Sequence, residues 1–343
     1  MNYPVLILEM ILAFVGGCLG ASVSALGGFL LFGLFGVIGF LYLALANQDA
    51  WLVSLAGGLL FRPSVCFLGG VVATAYARKL GLIRCGKDLG RALVVFRRFD
   101  VVLVGGLAGM AGSLINRLLD RLIGGKLDTV AVTVFVVSIA MKYAWGLTKS
   151  SDCAAASHAV QSPYRFFERL GKPAEKSGLA LLIGLGSAAL TWRLALDPRT
   201  APFAGLLAFC ISAVLLYLLF MSVPVPATHH FSGPAGVAVM MWMAAHGGTT
   251  SGGFEVLIVL LWGVAAAHLG MLAGDVMGRL FFDEGDIHVD PPAMGSMLST
   301  AVSMGVLPCT GVYHASPGAQ AAVSAGIILV CATTSLRVFG RRH

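Results

Sequence analysis

Ser222-Val-Pro-Val-Pro-Ala-Thr-His-His-Phe-Ser-Gly-Pro-Ala-Gly236 lies in the middle of a stretch that runs from Thr200 to Phe254 without one Asp, Glu, Lys or Arg. Apolar runs of that length belong in lipid, where about 20 residues carry a helix across the hydrocarbon. Pro224, Pro226 and Pro234 each remove a backbone donor, and Gly233 and Gly236 weaken helix propensity. The pattern predicts one helix ending near Val223 and another starting near Pro234. Between them, Thr228, His229, His230 and Ser232 bring hydrogen-bonding groups to membrane depth. Irregular backbone survives there only when protein buries it or when it lines a wet cavity.

Composition carries the same reading to the whole chain. Of 343 residues, 58% are hydrophobic and 11% charged, against about 25% charged in soluble domains. An all-α polytopic bundle follows, with about eleven spans and no large soluble domain. The net charge of +7 is spread over loops between apolar runs, which fits topology signals and anionic lipid headgroups better than nucleic acid. The seven cysteines show no paired spacing and read as small packing residues. The N-terminus lacks a basic flank and a small-residue cleavage site, so the first apolar run is expected to remain as a span.

The expected spans are Val5–Ser22, Phe29–Ala46, Trp51–Tyr76, Val101–Ile115, Thr129–Trp145, Gly178–Leu194, Phe203–Met221, Pro234–Ala245, Glu255–Met277, Pro292–Val306 and Gln320–Ser335. Ser22, Ser24, Gly27 and Gly28 mark the first break, and Arg62-Pro63-Ser64 interrupts the third span. Arg78, Lys79, Arg84, Lys87, Arg91, Arg97 and Arg98 form the most basic connection. By the positive-inside rule it is cytoplasmic, as are the loop from Lys149 to Lys176 and the C-terminal tail. This places the chain in the inner membrane with its N-terminus outside and C-terminus inside. The loop holding Arg117, Arg121 and Lys126 runs against that assignment.

The order of breaks and spans suggests an internal duplication. Residues 1–146 would form a first five-span repeat, 147–200 a cytoplasmic loop and linking span, and 201–343 a second five-span repeat in parallel orientation.

Several residues are candidates for chemistry. Because histidine as a type titrates near neutral pH, His229 and His230 can bind an anion, relay protons or take part in a metal site, or else cap a helix or sit at the headgroups. Arg62 can recognise a carboxylate or pair with Glu9 or Asp275. Asp275 is either an i,i+4 partner of Arg279 or an inward coupling site. Thr249, Thr250 and Ser251 sit in a Gly-rich connector that lacks the lysine and strand of a P-loop, and it reads as a turn or a wet re-entrant segment. The acidic run Asp283 to Asp290 departs from a calcium loop, and Asp290-Pro291-Pro292 reads as a helix cap. No hydrolase or thiol motif is present, and no cofactor or metal is expected.

The reading that follows is a transporter or channel-like permease for a small polar or anionic solute, not an enzyme. Its partners are the solute and membrane lipids, with no nucleic acid; a homo-oligomer is compatible with the sequence. The alternatives are a membrane-embedded enzyme acting on a lipid or isoprenoid, and a membrane scaffold subunit.

Overall fold

The computed structural model describes residues 3–46, 58, 60–149, 172–223, 225–250 and 252–340. Its regular elements are helices: α1 (Tyr3–Val23), α2 (Ala25–Ala46), α3 (Cys66–Lys79), α4 (Phe99–Ile123), α5 (Thr129–Ala144), α6 (Pro173–Ala195) and α7 (Ala204–Leu215). They are followed by α8 (His229–Ala245), α9 (Gly253–Met277), α10 (Pro291–Thr300) and α11 (Pro317–Phe339). A short turn of helix, Tyr217–Phe220, prolongs α7, and π-helical segments Gly278–Phe282 and Ala301–Val306 extend α9 and α10. Among the described residues there is no strand.

Seven helical segments in the described residues are long and apolar enough to cross a membrane: Val5–Val23, Ala25–Leu45, Phe99–Ile123, Pro173–Ala195, Ala201–Phe220, Gly253–Phe282 and Pro317–Phe339. The other four expected spans have identifiable reasons for falling short. Residues 47–57 and 59 lie outside the described residues, and the helical part described of that span is α3. Helices α5 and α8 have 16 and 17 residues, and α10 passes into a π-helical turn at Ala301. Leu45, Leu122, Leu182 and Leu329 are among many large apolar side chains left exposed. Apolar surface on that scale suits lipid contact.

Small residues decide how the helices meet. In lipid, helix association rests on close van der Waals packing, so backbones must approach one another. Gly17 of α1, Gly69 of α3 and Gly105 of α4 touch backbone to backbone, and a methyl group added to any of them would strike a neighbouring carbonyl or Cα. Gly263 of α9 packs equally tightly on Ala188 of α6. The α1–α2 connection is a single residue, Ser24, held at φ 106°. Its hydroxyl accepts from Gly27 N–H (2.9 Å) and starts α2.

The helix ends sort into two faces. On one, Asp286 binds Gly86 N–H (2.8 Å) and pairs with Arg78, while Asp286 N–H donates to the Leu147 carbonyl (2.9 Å). On the other, Asp128 N–H donates to Thr300 Oγ1 (2.9 Å), and Gly305 lies against Lys126. Asp290 caps α10 by accepting from Ala293 N–H (2.9 Å). Cys85 is disulfide-bonded, so it is not the packing residue its spacing suggests. Cys18, Cys66, Cys210, Cys309 and Cys331 are free.

Gln320 ties α11 to the bundle. Its Oε1 accepts from the indoles of Trp242 (2.8 Å) and Trp262 (3.2 Å), and its Nε2 donates to the carbonyls of Tyr313 and Ala315 (both 3.0 Å). Replacing it by leucine orphans buried donors, each worth roughly 1–3 kcal/mol. Gln320→Leu should therefore lower the detergent unfolding temperature clearly, whereas Thr333→Val on the exposed face of the same helix should not.

Candidate functional site

A cavity of about 320 Å³ opens between α2, the segment Arg62-Pro63 ahead of α3, α4, α5, α7, α8 and α10. Its polar wall is Arg62, Asn116, Asp120, Asp128, Thr129 and Thr300, and its apolar wall includes Phe32, Leu206, Phe209 and Pro234. Such a mixture, mostly apolar with few convergent polar groups, is typical of small-molecule sites.

Local sequence explains each polar contribution. Pro63 prevents a regular helix start, so Leu68 N–H donates to the Pro63 carbonyl (3.0 Å) instead of entering the ladder at Ser64. Arg62 is held at this break and its Nη1 donates to Asn116 Oδ1 (2.8 Å). Asn116, fully buried in α4, passes the contact on through Nδ2 to Thr129 Oγ1 (2.9 Å). Thr129 in turn donates to Asp120, and Asp128 accepts from Ala131 N–H (3.0 Å) as the cap of α5. Asp120 and Glu9 both attract the guanidinium electrostatically. Glu9 itself pairs with Arg117.

The other candidates from the sequence sit elsewhere. His229 and His230 belong to the first turn of α8, which begins five residues earlier than the proline pattern predicts. Pro234 is accommodated inside the helix. The His230 carbonyl, which Pro234 cannot serve with an N–H, lies against Gly270, where a side chain would collide with it. Neither histidine lines the cavity. His229 lies behind an aromatic layer, its ring centroid 4.8 Å from Phe29 and 5.6 Å from Phe209, and Phe209 stands 5.6 Å from Phe32. On the histidine side, His288 Nε2 contacts Asp290 Oδ1 (2.9 Å) and its ring meets Phe67 at 6.2 Å. Thr228 and Ser232 are buried with the histidines. Among the described residues no group of three His, Cys, Asp or Glu could hold a metal ion.

Asp275 has a different partner from the one its spacing suggests. Lys176 of α6 donates to both carboxylate oxygens (2.9 and 3.0 Å), and Arg279 instead lies 3.8 Å over the Phe339 ring. The lysine is remote in sequence, so no local pattern could find it. Thr249 and Thr250 lie in the turn between α8 and α9 and do not line the cavity, and Ser251 falls outside the described residues. A serine–imidazole contact does exist, Ser177 Oγ to His268 Nε2 at 3.1 Å, with His268 Nδ1 on the Val264 carbonyl (2.9 Å). It bridges α6 and α9 away from the cavity.

A family model, described as a family of unknown function (DUF7973), matches residues 2–169 and 182–320. The chain belongs to this family. No curated protein and no solved structure matched it. The family therefore brings no activity with it, and the reading of the site rests on its geometry.

The Lys176–Asp275 pair offers a direct test of how buried charge is managed. Removing one partner of a buried pair costs roughly 3–5 kcal/mol because the other charge is stranded. Lys176→Met should lower the detergent unfolding temperature sharply, and adding Asp275→Leu should restore most of the loss.

Proposed function

We propose that the protein is a membrane transporter or channel-like permease for a small polar solute, with the Arg62 cavity as its binding site. The observation that carries this reading is the cavity's position: charged and amide groups at the interrupted start of α3, walled by apolar side chains, inside a bundle with a lipid-facing exterior. Ionisable groups at membrane depth are costly and mark substrate or ion paths. Helix breaks that present backbone groups near the midplane are the usual means by which transporters replace a solute's hydration.

The wall chemistry refines the solute. Arg62 offers a planar donor fork for a carboxylate or similar group, while Asp120 and Asp128 oppose a multiply charged anion and favour a donor or ammonium group. A neutral or zwitterionic polar solute fits this set better than a bare anion. Eleven crossings complete the reading, with α3 and α8 as the inner parts of two broken spans. The basic connections at residues 78–98 and 149–176 then face the cytoplasm, leaving the N-terminus outside.

Uptake into proteoliposomes across a panel of amino acids, small amides and monocarboxylates tests the proposal. Losing a charge-assisted hydrogen bond of roughly 1.5–3 kcal/mol corresponds to about a tenfold to hundredfold effect. Arg62→Gln should raise the half-saturating concentration or cut flux by that factor for the transported solute. Uptake of every panel member at the rate of empty vesicles would refute the transport reading.

A further inference from the structure

The two halves of the chain build the same helix contacts, partner by partner. In the first half Gly105 of α4 meets Gly17 of α1 and Gly69 of α3; in the second, Gly263 of α9 meets Ala188 of α6 and Ala235 of α8. The register holds along each helix. One turn on, Gly109 meets Ala13, and Ala267 meets Gly184. Further along, Gly112 meets the Ser64 carbonyl and the Leu68 side chain, and Gly270 meets the His230 carbonyl and Pro234. Asp128 caps α5 through Ala131 N–H, and Asp290 caps α10 through Ala293 N–H. Helices α1, α3, α4 and α5 thus correspond to α6, α8, α9 and α10. By order α2 corresponds to α7, and α11 is left over.

Two pairs of corresponding helices touch each other, and both run antiparallel. Phe40 of α2 meets Phe203 at the start of α7, while Phe29 and Phe32 meet Phe209. The start of α5 meets the end of α10 through Asp128 and Thr300. A helix and its copy related by an axis along the bundle would run parallel. Antiparallel contact places the axis across the bundle, in the membrane plane, as in inverted-repeat transporters. The second copy then begins at α6, the helix whose position in the sequence suggested a linker.

This correspondence carries the cavity wall onto a second region. Arg62 maps to Thr228, Pro63 to His229, Asn116 to Gly274, Asp128 to Asp290 and Thr300 to Ser138; since Gly70 meets Gly20 and Ala25 where Gly236 meets Thr191 and Gly205, Phe29 and Phe209 exchange. The second region is packed: the Phe29 ring covers His229 at 4.8 Å, and the His230 ring lies against Gly274. Two of its polar atoms, His229 Nδ1 and Ser138 Oγ, are buried with no hydrogen-bond partner among the described residues. Their side chains are 6% and 0% exposed. Buried polar atoms are nearly always bonded, so these two point to a ligand or water in another state.

We infer that the region around Thr228, His229, Ser138 and Asp290 is a second vestibule for the same polar solute. It opens on the opposite face when the halves exchange packing and the Arg62 cavity closes, with Phe29 and Phe209, 5.8 Å apart, as the barrier between the two. This inference rests on the transport reading.

Site-resolved labelling with a membrane-impermeant maleimide tests it, using right-side-out and inverted vesicles and reading the introduced cysteine by peptide mass. Thr300→Cys should label from one face and Ser138→Cys from the other. Val237→Trp, which props the Arg62 cavity open, should cut labelling of Ser138→Cys several-fold. The corresponding pair Ser296→Cys and Val134→Cys provides the same readout should either first variant fold poorly. Labelling of both members of a pair from the same face overturns the inference. So does absence of Ser138→Cys and Val134→Cys labelling in folded protein, or indifference to Val237→Trp. Solute uptake without reciprocal labelling removes the second vestibule and leaves the transport reading; reciprocal labelling without uptake of any solute removes the transport reading and leaves the two-state scaffold.

Discussion

Backbone-to-backbone contact at Gly17, Gly69 and Gly105 is the constraint on which the first half depends. Lipid tails offer helices no hydrophobic reason to prefer one another over solvent, so the bundle is held by close fit and by hydrogen bonds. Close fit at glycine fixes the depth of α3 against α1 and α4, and that depth puts Arg62 and the Pro63 break beside Asn116 instead of at the surface. The same logic operates around Gly263 and Gly270. There the contact fixes α8 so that its proline-freed His230 carbonyl is sheltered by a neighbour with no side chain. Breaks in both halves are tolerated because glycine from an adjacent helix covers them.

Charge within the bundle follows a consistent rule. Glu9 meets Arg117, Asp275 meets Lys176, and Asp286 meets Arg78, each pair joining helices or connections remote in sequence. Lys142 is satisfied by the carbonyls of Phe281 and Glu284 at the end of α9. These pairs staple helix ends. The Arg62 group differs in kind, since its hydrogen bonds run through Asn116 and Thr129 along the wall of a cavity. Polar groups lining open space are the ones available to a solute.

The sequence carried the helical class and most element positions because uncharged stretches bounded by charged residues admit little else. Asp290-Pro291-Pro292 announced a helix start, and the side chain does cap α10. Ser24 marked the first break, reduced in the structure to one residue. Partners were not legible: nothing near Asp275 points to Lys176, and nothing near Arg62 points to Asn116. The start of α8 was misplaced because a proline disfavours the helix interior on average, whereas at Pro234 the freed carbonyl finds cover at Gly270. On the inferred correspondence between halves, residue-by-residue matching fails for a related reason. Positions that conserve close approach exchange Gly for Ala, as at Gly17 and Ala188, so geometry is retained while identity is not.

On the transport reading, the chemical difference between the two regions bears on mechanism. Arg62, Asn116 and Asp128 on one side stand opposite Thr228, Gly274 and Asp290 on the other, so a scaffold with matched contacts presents unmatched polar groups. Unequal affinity at two faces changes the concentration at which each face saturates, but a carrier with a single ligand still equilibrates that ligand, whatever the two affinities are. Net accumulation requires a second ligand whose binding differs between states, because a shift in population can be no larger than that difference. One acidic group in each region, Asp128 and Asp290, is already engaged as a helix cap. Protonating either would weaken the cap as well as the site, which couples helix start to occupancy and gives a proton a structural means of biasing one state over the other.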